Sequence, residues 1–188
     1  MSAEVRPIVK IRPATFPADQ DIVSQLFLAY AQSLPIALDF QNFDHELANL
    51  PGRYAFQENG GVWLAYTTPA TTPPQITTST LTTPSSVAEA SADVVIGSVA
   101  LRSFPARSTP TCELKRLYIV PSARGSGVSK MLMDEVLNKA RELGYGEMLL
   151  DTLSSMTAAR KLYEGYGFRE TEKYYDSVEG AAFYRLLL

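Results

Sequence analysis

The chain has 188 residues, 46% of them hydrophobic and 20% charged, which fits one domain able to bury a substantial core. A net charge of −3 without a basic run argues against nucleic acid or an anionic membrane as partner, and no apolar run approaches the ~20 residues of a membrane span. The single Cys112 excludes an internal disulfide framework, and the opening MSAEVRPIVKIRP carries no apolar signal segment, so a reducing, cytoplasmic setting is expected.

Residues 5–12 alternate as a strand that Pro13 ends. Pro17, Asp19 and Asp21 open a helix in which Ile22, Leu26, Tyr30 and Leu34 share one apolar face, stopped by Pro35. Residues 40–50 read as a short amphipathic helix closed by Pro51-Gly52, and 61–66 as a strand. Residues 67–92 are dominated by Thr, Pro and Ser, contain no aromatic residue and carry a single charge, Glu89. Such a stretch cannot bury enough apolar area to offset its ordering entropy. It is expected to be a disordered loop inserted into one domain spanning 1–188, with a regulatory or phosphorylated segment as the alternative. Further strands are expected at 94–102 and from 111 to 120, then helix 127–143, strand 147–151, helix 156–166 and two closing strands. Val128, Leu132, Val136, Ala140 and Leu143 form the apolar stripe of the longer helix. Strand–helix–strand at this spacing implies a crossover with local parallel pairing. The expected fold class is α/β, a single mixed sheet with helices on both faces.

The stretch LYIVPSARGSGVSKML (117–132) sets glycines between a strand and a helix. Gly125 and Gly127 remove the Cβ atoms that would hold a ligand off the backbone. The first amides of the helix lack intrahelical acceptors, and the helix dipole favours an anion in front of them. Arg124 adds a charge-assisted contact. A phosphate site and a plain tight turn both fit the loop alone. A Walker loop is absent, and the dinucleotide pattern G-x-G-x-x-G/A fails because its third position is Lys130.

ELKRLYIVPSARGSGVSKML resembles the acetyl-CoA-binding signature Q/R-x-x-G-x-G/A of the GNAT superfamily of N-acetyltransferases, matching at Arg124 and Gly127, with Ser129 in the final small position. DTLSSMTAARKLYEGYGF resembles the family's second signature, N-x-x-A-x-x-L-Y-x-x-x-G-F. Ala159, Leu162, Tyr163, Gly167 and Phe168 align, while Met156 stands where the family has asparagine, and Ser154 or Ser155 is the expected replacement. The resemblance implies the GNAT fold, a mostly antiparallel sheet splayed at its centre. It also implies acetyl-CoA as cofactor and an acetyl transfer to a primary amine by direct attack in a ternary complex; no metal is expected, because the contiguous Asp44-His45-Glu46 side chains fan around a helix and do not converge on an ion. Leu117, Tyr118 and Ile119 would carry the pantetheine arm, and Arg124, Gly125, Ser126, Gly127, Val128 and Ser129 the pyrophosphate, with Ser155 as a further contact.

A free alkylamine has a pKa near ~10.4 and must lose a proton before it attacks. Glu113 is the candidate base, directly or through a water, against the reading of a strand glutamate paired with Lys115 or Arg116. Tyr163 is the candidate general acid at the cofactor sulfur, as the family's L-Y pair implies. The lone His45 sits in a short polar helix, so no Cys/His nucleophile pair forms and Cys112 is expected simply to be packed. Phe40, Asp44, Tyr174 and Tyr175 are the candidate substrate contacts, suited to a small cationic or amino-acid-like amine. The expected partner is a small-molecule amine, with neither nucleic acid nor membrane, and the chain a monomer or homodimer. A protein or peptide N-acetyltransferase and a non-catalytic acyl-CoA sensor remain open as alternatives.

Overall fold

The computed structural model describes residues 8–38, 41–68, 93–105 and 107–188. Among them, strands β1 (Ile8–Pro13), β2 (Gly61–Thr68), β3 (Val94–Phe104), β4 (Thr111–Ile119), β5 (Glu147–Leu153), β6 (Arg169–Thr171) and β7 (Ala181–Leu187) form one open sheet in the order β1-β2-β3-β4-β5-β7-β6. All neighbours are antiparallel except β4 and β5. The helices are α1 (Gln20–Gln32), α2 (Phe43–Ala48), α3 (Val128–Glu142) and α4 (Thr157–Gly165).

Strand alternation distributes the core to two faces. Trp63 and Ala65 of β2 point to the α3 side, where Leu132, Met133 and Val136 are fully buried, while Val62 and Leu64 point to α1. Each such buried side chain contributes about 1.5–3 kcal/mol relative to exposure. The α3 stripe holds as expected, widened by Met133 and Leu137. In α1 the buried face is Val23, Leu26 and Phe27, and Ile22, Tyr30 and Leu34 are only partly covered, unlike the expected stripe. Phe27 packs edge-on against Tyr54 at 5.8 Å, which sets the rotation of the helix. The second helix is shorter than expected because Asn42, at φ 56, leaves helical geometry just before it. Residues 67 and 68, expected in the loop, extend β2; the remainder of that segment, 69–92, lies outside the described residues, as do residues 5–7 of the first expected strand and Phe40.

The feature that positions the site is a bulge in β4. Ala100 pairs with Lys115 and Ser98 with Tyr118, so Val99 opposes both Arg116 and Leu117, and Arg116 adopts φ 56. The extra residue interrupts the in–out alternation. Cys112, Leu114, Leu117 and Ile119 face α3, whereas Lys115 and Arg116 both turn toward the α1–α2 side, where Arg116 meets Glu46. The strand also parts from β5: the parallel pairing covers only Thr111–Glu147, Cys112–Met148 and Glu113–Leu149. Beyond it, residues 114–119 of β4 have no strand partner on that side, and β5 stays with β7.

Candidate active site

The parted strands open a groove of about 780 Å³, a size typical of cofactor and small-ligand sites. Its floor is the free edge of β4, its ends are the first turns of α3 and α4, and Tyr30 of α1 and Ser33 just beyond that helix close one side. Leu117, Tyr118, Ile119, Arg124, Gly125, Gly127, Val128 and Ser129 all line it, so eight of the ten expected cofactor contacts come together. Ser126 and Ser155 do not line it: the Ser126 hydroxyl turns back to donate to the Ala123 carbonyl at 2.6 Å, and Ser155 is exposed in the β5–α4 turn. Ser154 is likewise outside it; the asparagine position is filled by Met156, whose sulfur accepts a hydrogen bond from the Thr152 hydroxyl at 3.6 Å.

One end of the groove is built for an anion. Gly125 and Gly127 have φ +78 and +88, a conformation side-chain-bearing residues avoid, and a Cβ at either would project into empty space. Among the described residues, the amides of 125–129 donate to no backbone carbonyl, so five N–H groups at the start of α3 are left without a backbone acceptor, four of them on residues that line the groove, with the α3 dipole behind them. Arg124 Nε donates to the Ile119 carbonyl at 3.1 Å and its guanidinium lies 5.8 Å from the Tyr118 ring centroid, which holds the charge at the rim. A strand edge with free backbone groups leading to an amide nest fits an extended chain ending in a pyrophosphate, which is the shape of acetyl-CoA.

The middle of the groove carries the titratable groups. Tyr163 of α4 is 6% exposed, packs at 5.9 Å against Phe168, and its hydroxyl makes no hydrogen bond among the described residues. Burial pushes its phenol well up, so it stays protonated at neutral pH. Asp151, from the end of β5, lines the groove with a side chain 12% exposed. Burial alone would raise its pKa, but the Lys115 charge and hydrogen bonds from Lys115 and Tyr175 outweigh that and leave it lowered. Lys115 Nζ lies 2.7 Å from Asp151 Oδ1 and 3.8 Å from Glu113 Oε1, and Arg102 binds the other Glu113 oxygen at 2.6 Å. Register explains this row of alternating charge: Arg102 pairs with Glu113 across β3–β4, and Lys115 follows two residues on, on the same face.

Glu113 has no exposed surface, accepts from the Tyr174 hydroxyl at 3.1 Å, and does not line the groove. That corrects the expectation that it meets the amine: Lys115 and Asp151 stand between. Tyr174 and Tyr175 stack with Phe104 and Phe183 in a wall behind the row, with Lys115 Nζ 5.7 Å from the Tyr175 ring. Asp44 is exposed on α2 and is not part of the groove. Cys112 is fully buried with its thiol pushed up by burial, an inert packed group. Asp151, Lys115, Arg116 and Gln41 were missed by sequence reasoning. The available signal was a charge inside otherwise apolar strand runs, MLLDTL and TCELKRLYI.

Gln41 bridges two groove-lining residues, Asp151 and Arg116. Its Nε2 donates to Asp151 Oδ2 at 3.2 Å and to the Tyr175 hydroxyl at 3.4 Å, while its Oε1 accepts from Arg116 at 3.1 Å. Arg116 in turn grips Glu46 of α2 through two bonds, at 2.7 and 3.0 Å.

Residues 46–168 match the family model of the acetyltransferase (GNAT) family. An uncharacterized N-acetyltransferase of Schizosaccharomyces pombe is 32% identical over 167 residues, 89% of this chain and 86% of that protein. A structure from Salmonella typhimurium, solved with its cofactor acetyl-CoA, superposes with a TM-score of 0.65 at 18% identity over 95% of this chain and 93% of the other. The NatC complex bound to Gag peptide and CoA contains a chain with a TM-score of 0.64 at 19% identity, covering 96% of this chain and 98% of its own.

Proposed function

The chain belongs to the acetyltransferase (GNAT) family and is an acetyl-CoA-dependent N-acetyltransferase, and from that premise we propose that its acceptor is the primary amine of a small molecule. The observation that carries this reading is the Gln41 strap. By joining Asp151, Tyr175 and Arg116 it fills the space beside Asp151 with hydrogen-bonded side chains, an arrangement suited to a compact amine more than to an extended peptide.

The free edge at 117–119, the amides of 125–129 and Arg124 are the residues suited to hold acetyl-CoA, which supplies the acetyl thioester when bound. Asp151, ionised and oriented by Lys115, accepts a hydrogen bond from the incoming ammonium and takes one of its protons, which frees the nitrogen lone pair for attack; the second nitrogen proton, lost once the N–C bond has formed, restores the Tyr163 phenol through solvent. Glu113 acts as a positioning residue: its carboxylate, held by Arg102, fixes Lys115 and through it Asp151. Tyr163 Oη gives its proton to the departing sulfur as the C–S bond breaks, since a thiol of pKa near ~8.5 leaves more readily protonated.

The test is thiol release from acetyl-CoA in the presence of small primary amines, of peptides with free N-termini and of peptides with only lysine amines. Release that depends on small amines is expected. Release with peptides alone would move the acceptor to a polypeptide, and acetyl-CoA binding without amine-dependent release would make the chain a sensor.

A further inference from the structure

Beside Asp151 a second, much smaller cavity of about 20 Å³ branches off the groove. Tyr30, Asp151, Thr152 and Met156 line both spaces. The branch is otherwise walled mainly by apolar side chains, including Leu38, Val178 and Ala181. Its volume admits about one water-sized group. Two further polar groups reach it, the Gln41 amide and the hydroxyl of Ser177. The Ser177 Oγ is buried and has no hydrogen-bond partner. A buried hydroxyl left unpaired costs about 1–3 kcal/mol, so its presence calls for a ligand group or an ordered water.

The charge inventory is equally specific. Asp151 is the only charged residue among the described residues that line the branch, and no lysine or arginine does. Asp151 is already paired with Lys115, so a second ammonium beside the first would have to share that one carboxylate among Leu38, Val178 and Ala181. A carboxylate would be repelled by Asp151, and the cations beside it, Lys115 and Arg116, are already held by Asp151 and Glu46. Desolvating either charge there is unfavourable.

We propose that this branch is the acceptor-selecting pocket, and that it takes the terminal hydroxyl of a compact primary amine such as a short amino alcohol. The ammonium sits at Asp151, where groove and branch meet, the carbon chain stays in the groove, and the hydroxyl alone enters the branch at Ser177. The proposal rests on the small-molecule reading above and narrows it, because it excludes free amino acids and diamines. An N-terminal serine of a peptide presents the same chemistry.

The test measures kcat/KM for ethanolamine, propylamine, β-alanine, putrescine and a peptide with an N-terminal serine, together with the thermal shift each amine causes in the CoA-bound protein. Ethanolamine is expected to exceed β-alanine and putrescine by at least about tenfold, the effect of one poorly compensated buried charge. It is also expected to raise the melting temperature where they do not. In Ser177→Ala the preference for ethanolamine over propylamine should fall by about three- to tenfold, with the dissociation constant for CoA unchanged. Equal or better use of β-alanine or putrescine overturns the pocket assignment while leaving a small-molecule acceptor intact. An unaltered ethanolamine-to-propylamine ratio in Ser177→Ala also overturns it. Turnover with the serine peptide alone supports the pocket chemistry and instead overturns the small-molecule reading.

Discussion

Asp151 and Glu113 illustrate how position within one charge row separates roles. Asp151 touches the groove, so Asp151→Asn should lower kcat by about 10²–10⁴, the usual worth of a positioned acid or base. Because the Asp151 pKa is lowered, the wild-type rate should show no acidic limb from this group between pH 5 and 8, which a pH–rate profile would check. Glu113 is buried between Arg102 and Lys115, and Glu113→Gln leaves Arg102 without its carboxylate while Lys115 keeps Asp151. Urea unfolding should show a loss of about 3–5 kcal/mol, while the folded variant keeps the wild-type alkaline limb of its pH–rate profile. A changed limb would return the base to Glu113. At this scale the sequence motifs pointed to Tyr163, Arg124, Gly125 and Gly127, all of which line the groove, because those motifs are fixed by local spacing. Asp151 and Lys115 escaped because their meaning lies in pairing across strands 36 positions apart, which no local window contains.

Among the elements, β4 decides the architecture. Its order, length and parallel contact with β5 were legible from apolar runs and the intervening helix. The bulge at Arg116 was not, since arginine carries no local preference for φ 56; the conformation is supported instead by the Glu46 and Gln41 bonds to its guanidinium. The rotation of α1 was misjudged for a similar reason, because Phe27 is fixed by a tertiary contact with Tyr54. The first turn of α3 behaves in the opposite way and follows from its glycines. Gly127→Val forces a β-branched residue to φ +88, costing about 1–2 kcal/mol in stability. It also fills the space before the free amides, so the affinity for CoA should drop by at least about tenfold on titration calorimetry, more than the modest stability loss would produce.

Taken as one molecule, the protein buries phenols on both faces of the sheet. Burial pushes Tyr30 up to about 12, and raises Tyr54, Tyr163, Tyr174 and Tyr175 as well. A tyrosine whose folded pKa exceeds the ordinary value of about 10 contributes no pH dependence below it and loses native stability as pH rises beyond it. Stability should therefore fall above pH 10, and phenolate absorbance from the buried tyrosines should appear together with unfolding instead of before it. The single open sheet, splayed at its centre, was legible as a whole from two motifs and the order of elements. The central claim is that the unpaired edge of β4 and the first turn of α3 together hold the cofactor. Hydrogen–deuterium exchange with and without CoA tests it most directly. CoA should slow exchange at the amides of 117–119 and 125–129 above all others, and unchanged exchange in both segments, with protection elsewhere, would place the cofactor somewhere else.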